Sequence, residues 1–83
     1  MSITDWSKFI EAKPEILVGK PIIKGTRLSV DFVLGLFSQG WSTELVIENY
    51  PTLNKESILA VFSYASDALK KEIFFFFKTG SDK

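Results

Sequence analysis

From Val30 onward the apolar positions of this chain recur with a helical period; before it they do not. Ile58, Val61, Phe62, Ala65 and Leu69 follow the i, i+3, i+4, i+7 series of an amphipathic helix. Asn54 stands before this run as an N-cap, so the spacing predicts a helix that begins at Lys55. On this reading Lys55, Glu56, Ser57, Ala60, Ser63 and Tyr64 form the outward side of its early turns. If the helix persists, Phe76 continues the stripe, while Phe74 and Phe75 fall elsewhere. Upstream, Val30, Val33, Leu34 and Phe37 share one face of another helix, widened by Leu36 and Phe32. It should run from about Val30 to Gln39, with Ser29 as N-cap and Asp31 favourably placed in the first turn. Its polar remainder is narrow, which predicts a central position. Gly40 ends it and Ser42 caps a short helix over Thr43 to Asn49, with Val46, Ile47 and Tyr50 facing inward and Pro51 as the stop.

The first third breaks this rhythm. AKPE, VGKP and KGTR are turn signals, and between them lie Ile16 to Val18 and Ile22 to Ile23, with Phe9 and Ile10 upstream. These pieces are too short for helices and read as short strands or extended arms. The expected fold is mainly α: a short N-terminal extended or β-hairpin region, then a three-helix unit, then a C-terminal helical extension. One domain follows, with 1–28 as the arm, 29–72 as the three-helix unit and 73–83 as an aromatic tail. A short second helix joined to the third by a tight turn fits a helix-turn-helix arrangement, and a plain three-helix bundle as well. Periodicity alone favours the bundle.

Composition narrows the chemistry. The chain has 83 residues, 46% hydrophobic and 24% charged, which suits one globular domain of slim stability. Ten basic and ten acidic residues cancel, so no overall field draws it to nucleic acid or to an anionic membrane. Cysteine and histidine are both absent, which removes disulfides, thiol chemistry, the usual zinc ligands and the commonest neutral-pH base. A non-enzyme without metal or cofactor is the expectation. MSITDWSKF lacks the basic and apolar regions of a secretory signal, and Ile73 to Phe77 is far short of the ~20 residues that cross a bilayer. A cytoplasmic protein with no membrane partner is expected.

One stretch resists a monomeric reading: EIFFFFKTG, with Phe74, Phe75, Phe76 and Phe77 in a row. In a helix, neighbours stand about 100° apart, so four rings spread over most of the circumference; in a strand they alternate between faces. One small core cannot receive all four. These residues are the candidate partner-binding site, and they predict a homodimer, a complex with another protein, or a switch between the two. Lys70, Lys71 and Lys78 flank the run and suit solvation of a sticky segment.

GKPIIKGTRLSV, followed by SQGWSTELVIENYPTLNKESILAVFSYA, resembles the domain of unknown function family 433, whose members are often encoded as VapB-type antitoxins. The likeness covers about Glu15 to Ala68. Its specific features are GKP-x-x-x-GTR from Gly19 to Arg27, then Gly40 and Ser42, then Tyr50, Pro51 and Leu53. Val18, Ser29 and Lys13 depart from the usual pattern, which bears on turn geometry only. The resemblance implies an extended or hairpin region followed by a homeodomain-like, winged-helix-related three-helix unit. It also implies a partner, a small PIN-like ribonuclease toxin.

Within this frame Lys20, Lys24 and Arg27, with Lys55 at the start of the last helix, are candidate nucleic-acid contacts. A structural reading of GKPIIKGTR is simpler. Gly19 and Gly25 supply unusual backbone angles, Thr26 closes a turn, and Arg27 ties the loop to a carboxylate such as Asp31. Base reading asks for Arg, Asn or Gln on the recognition helix, and here one lysine is offset by one glutamate. Trp6 and Trp41 read as packing residues, and Glu44 and Glu48 as solvated. The function expected is an antitoxin-like interaction protein that neutralises a PIN-like toxin and represses its own DNA operator as a dimer. The alternative is a stand-alone helix-turn-helix DNA-binding regulator.

Overall fold

The computed structural model describes residues 5–15 and 19–79, with side chains as far as Lys71. Ile16 to Val18 lie outside the described residues. In chain order come a 3-10 turn at Trp6–Lys8, strand β1 at Ile10–Glu11, strand β2 at Ile22–Ile23, and helices α1 Val30–Ser38, α2 Thr43–Asn49 and α3 Lys55–Thr79. The chain is thus mainly helical, with a two-stranded antiparallel sheet near the N-terminus, as the pattern of turns and periods predicts.

In that sheet Ile10 pairs with Ile23 and Glu11 with Ile22. The opposite edge of β2 is occupied too, because the chain turns back on itself. The Thr26 amide donates to the Ile23 carbonyl at 3.0 Å, and Gly25 sits in this turn at φ +80°, a left-handed angle that a side chain would oppose. The Thr26 hydroxyl donates to the same carbonyl at 2.8 Å and accepts from the Leu28 amide. Returning, the chain bridges Ser29 to Ile22, so β2 is held on both edges and both its isoleucines are buried. Glycine and threonine therefore take the turn roles expected of them. Arg27 does not: it is exposed, and the cation near Asp31 is Lys20, at 3.9 Å. Arg27 follows a turn already closed by Thr26, so the loop needs no second tie.

The helix ends follow local rules. Ser29 and Ser42 accept from the amides of Phe32 and Leu45, capping α1 and α2. At the end of α1 the Trp41 amide reaches the Leu36 carbonyl and the Gly40 amide reaches Phe37, with Gly40 at φ +95°. This is a Schellman termination, and it leaves Trp41 over the turn between the two helices. Val30, Val33 and Leu36 are buried on α1, with Leu34 and Phe37 packed partly against them. Phe32, expected to widen that face, is exposed instead. Its ring meets Tyr50 edge-on at 5.6 Å, covering the end of α2 from outside.

Helix α3 shows the main correction. Ile58 and Val61 are buried as expected, but Ser57 and Ala60, assigned outward, are 4% and 0% exposed. Phe62 and Leu69, assigned inward, are 42% and 62% exposed. At about 100° per residue, the buried arc lies roughly 70° from the apolar stripe of the sequence. Two interactions explain the turn. Ser57 is part of a reciprocal cap: its hydroxyl accepts from the Asn54 amide and donates to the Asn54 carbonyl, and its own amide donates to the Asn54 side chain at 2.8 Å. With its polar atoms satisfied, a serine can be buried. The 3-10 turn then packs against α3: Trp6 meets Tyr64 edge-on at 4.9 Å and donates its indole N–H to Asp67 at 2.8 Å. Asp5 caps that turn by accepting from the Ser7 hydroxyl and amide, which hold its carboxyl below its ordinary pKa.

Candidate partner-binding site

Every described side chain of α3 from Ser66 to Lys71 is exposed, although the helix backbone continues to Thr79. Ala68 makes the point. It stands four and seven residues after Tyr64 and Val61, on the arc that faces the core, yet it is uncovered. Burial among the described residues therefore fades after Ala65 while the helix goes on, with Asp67 still tied to the 3-10 turn through Trp6.

Where the cover stops, a groove of about 480 Å³ opens between α3 and the start of α1. Tyr64, Ala65, Ala68 and Leu69 form one wall, and Pro21, Val30 and Leu34 the other. Lys20 and Asp31 stand on its rim, 3.9 Å apart and both largely solvated. The chemistry on offer is burial of apolar surface between one cation and one anion. Phe74, Phe75, Phe76 and Phe77 lie further along α3, and their side chains are outside the described residues.

The basic candidates are distributed over the groove rim, the turn after β2 and a second cleft. Lys20 belongs to the groove rim, and Lys24 and Arg27 are exposed in the turn after β2. Lys55 lines a separate cleft of about 340 Å³ with Thr43, Glu44, Leu59 and Phe62, and the two clefts share no residue. Glu44 and Glu48 are exposed, as read from their spacing. Among the described residues no cluster of acidic side chains is arranged to hold a metal ion, and no helix is long and apolar enough to cross a membrane.

Sequence reasoning did not single out Pro21, Leu34 or Ala68 as lining a site. A signal was present in Ala65 and Ala68, two small residues one turn apart after the apolar run, where a backbone can be approached closely. It could be read only once the buried arc was known.

The comparisons agree with this anatomy. The model of the family described as "Protein of unknown function (DUF433)" matches residues 10–65, so the shared region stops where the cover over α3 stops. A protein of Sinorhizobium fredii, "Uncharacterized protein y4eO", is 34% identical over 58 residues, covering 70% of this chain and 26% of that protein. A crystal structure of a DUF433 member from Anabaena variabilis superposes with a TM-score of 0.69 at 26% identity, covering 75% of this chain and 61% of the other. The chain thus spans about a quarter of the curated relative and under two thirds of the solved one. With more than half its length matched, the chain belongs to the DUF433 family of proteins of unknown function.

Proposed function

We propose that this chain is an antitoxin-like interaction module that captures a small PIN-like ribonuclease in the cytoplasm through the projecting end of α3. One observation carries the reading: α3 runs to Thr79, while its described side chains from Ser66 on are uncovered. Four phenylalanines on the last turns of such a helix cannot all share one groove. Each ring buried against a partner contributes roughly 1.5–3 kcal/mol, and aromatic residues are favoured at the centres of interfaces. The ribonuclease class comes from the family resemblance alone.

A stand-alone DNA-binding regulator is the competing reading, and the corrected register of α3 weighs against it. Ser57 and Ala60 are withdrawn from the outward side, leaving Lys55, Glu56, Leu59 and Phe62 at its start. That surface is apolar with cancelling charges, whereas gripping phosphates takes several cations. Co-expression with the adjacent small reading frame, followed by pull-down and a ribonuclease assay, is the test. Capture with loss of nuclease activity is expected, and Phe74→Ser with Phe77→Ser should abolish both. Capture indifferent to those changes sinks the role of the helix end. Tight, sequence-selective DNA binding by the isolated chain favours the regulator.

A further inference from the structure

We infer that the 3-10 turn is a latch on α3, and that the helical state of positions 66–79 is coupled to its docking. The turn holds its own shape. Asp5 accepts from the Ser7 amide and hydroxyl, and the Phe9 amide donates to the Trp6 carbonyl at 2.9 Å. The Lys24 amide then fastens the Phe9 carbonyl to the sheet at 2.8 Å. None of the residues from Trp6 to Lys8 is buried, so the turn meets α3 in a surface contact. Contacts of this kind open locally while the body stays folded. The contact has two points one helical turn apart, the edge-on ring of Tyr64 and the Asp67 carboxylate.

Asp67 is the last residue of α3, among those described, whose side chain bonds to another element. Beyond it the helix has little to hold it. Every described side chain from Ser66 to Lys71 is exposed, and a free helix shorter than ~12–15 residues is marginal in water. The arm therefore depends on where the helix behind it is fixed. With the turn docked, the last fixed point is Asp67; with it open, the last buried residue is Val61, nearly two turns earlier. The bond also joins the two segments that flank the region shared with the family. That region covers residues 10–65, and both Trp6 and Asp67 lie outside it. Linkage makes the coupling reciprocal: whatever binds the helical arm favours the docked turn, and undocking opposes that binding.

Ribonuclease capture plays no part in the test, so either reading can fail while the other stands. Amide hydrogen exchange of the purified full chain, followed by mass spectrometry, compares positions 66–79 with the first half of α3. Trp6→Ala should speed exchange over 66–79 about fivefold or more. Ser42→Ala is the control: it removes the cap of α2, weakens the body, and should leave that segment at its original rate. Asp67→Ala decides the sign. Alanine is the better helix former, so propensity alone slows exchange in the arm, whereas loss of the latch speeds it. The reciprocal measurement reads the turn. In a Trp41→Phe chain Trp6 is the sole tryptophan, and Ala68→Gly, which weakens the helix at an exposed position, should shift its emission to the red. Arm exchange unchanged by Trp6→Ala, unchanged or slowed by Asp67→Ala, or raised as much by Ser42→Ala, overturns the proposal. So does a Trp6 emission indifferent to Ala68→Gly.

Discussion

The two halves of α3 share one backbone and one set of helical hydrogen bonds, yet they are stabilised differently. From Lys55 to Ala65 the helix is capped by the Asn54–Ser57 pair and buries Ile58, Ala60 and Val61 against the core. From Ser66 to Lys71 every side chain is exposed, Asp67 included although it accepts the Trp6 indole N–H. Burial contributes roughly 1.5–3 kcal/mol for each large core side chain of the first half. The second half persists because nucleation is the costly step of helix formation, and propagation from a nucleated helix adds one hydrogen bond per residue fixed. A fold this small can therefore extend an arm without enlarging its core. Of the arm's described side chains, the apolar Ala68 and Leu69 stay exposed.

The largest expected effects fall on the first half. Ile58→Ala should cost about 2–5 kcal/mol in urea unfolding, whereas Leu69→Ala, at a more exposed site, should stay within about 0.5 kcal/mol under monomeric conditions. Equal losses at the two sites would erase the distinction. Trp6→Ala removes the edge-on contact with Tyr64 and the hydrogen bond to Asp67. A loss of about 1–3 kcal/mol is expected, and an unchanged midpoint would mean that the 3-10 turn does not clamp α3. Ser57→Ala should cost about 1 kcal/mol by leaving the Asn54 amide without its partner. Asn54→Ala, tested in the same way, should cost a similar amount.

The smallest effect is one of pH. Because hydrogen bonds from Ser7 lower the Asp5 pKa in the folded chain, its contribution to stability is present above the ordinary aspartate range. It is lost as pH falls through the lowered folded value. Asp5→Asn should flatten that acid limb slightly, since the carboxylate is fully exposed; a steeper limb in the variant would reverse the sign.

Much of the fold was legible along the chain because its signals are local. Ser29, Ser42 and Asn54 mark helix starts through side-chain bonds to amides three residues on, and Gly40 and Gly25 mark turns through backbone angles. The 3-10 turn went unread, although Asp5 two residues before Ser7 is a cap in miniature. The inward side of α3 was misread for a different reason. Counting large apolar residues selects Phe62 and Leu69, while the core selects Ser57 and Ala60, which are small enough to approach closely and, at Ser57, already satisfied. Of the candidate site, the aromatic run was evident and the groove was not, because its walls come from Pro21, the start of α1 and the middle of α3.

By itself, then, the amino-acid order determined where helices begin and end, that a hairpin precedes them, and that four phenylalanines stand in a row near the end of the last one. Tertiary structure alone decided which side of α3 is covered, where that cover stops, and that a groove opens there. Caps and turns depend on neighbours a few residues away. The rotation of a helix depends on what packs against it, and here that is a tryptophan 58 positions upstream of the tyrosine it meets, counting from Trp6 to Tyr64.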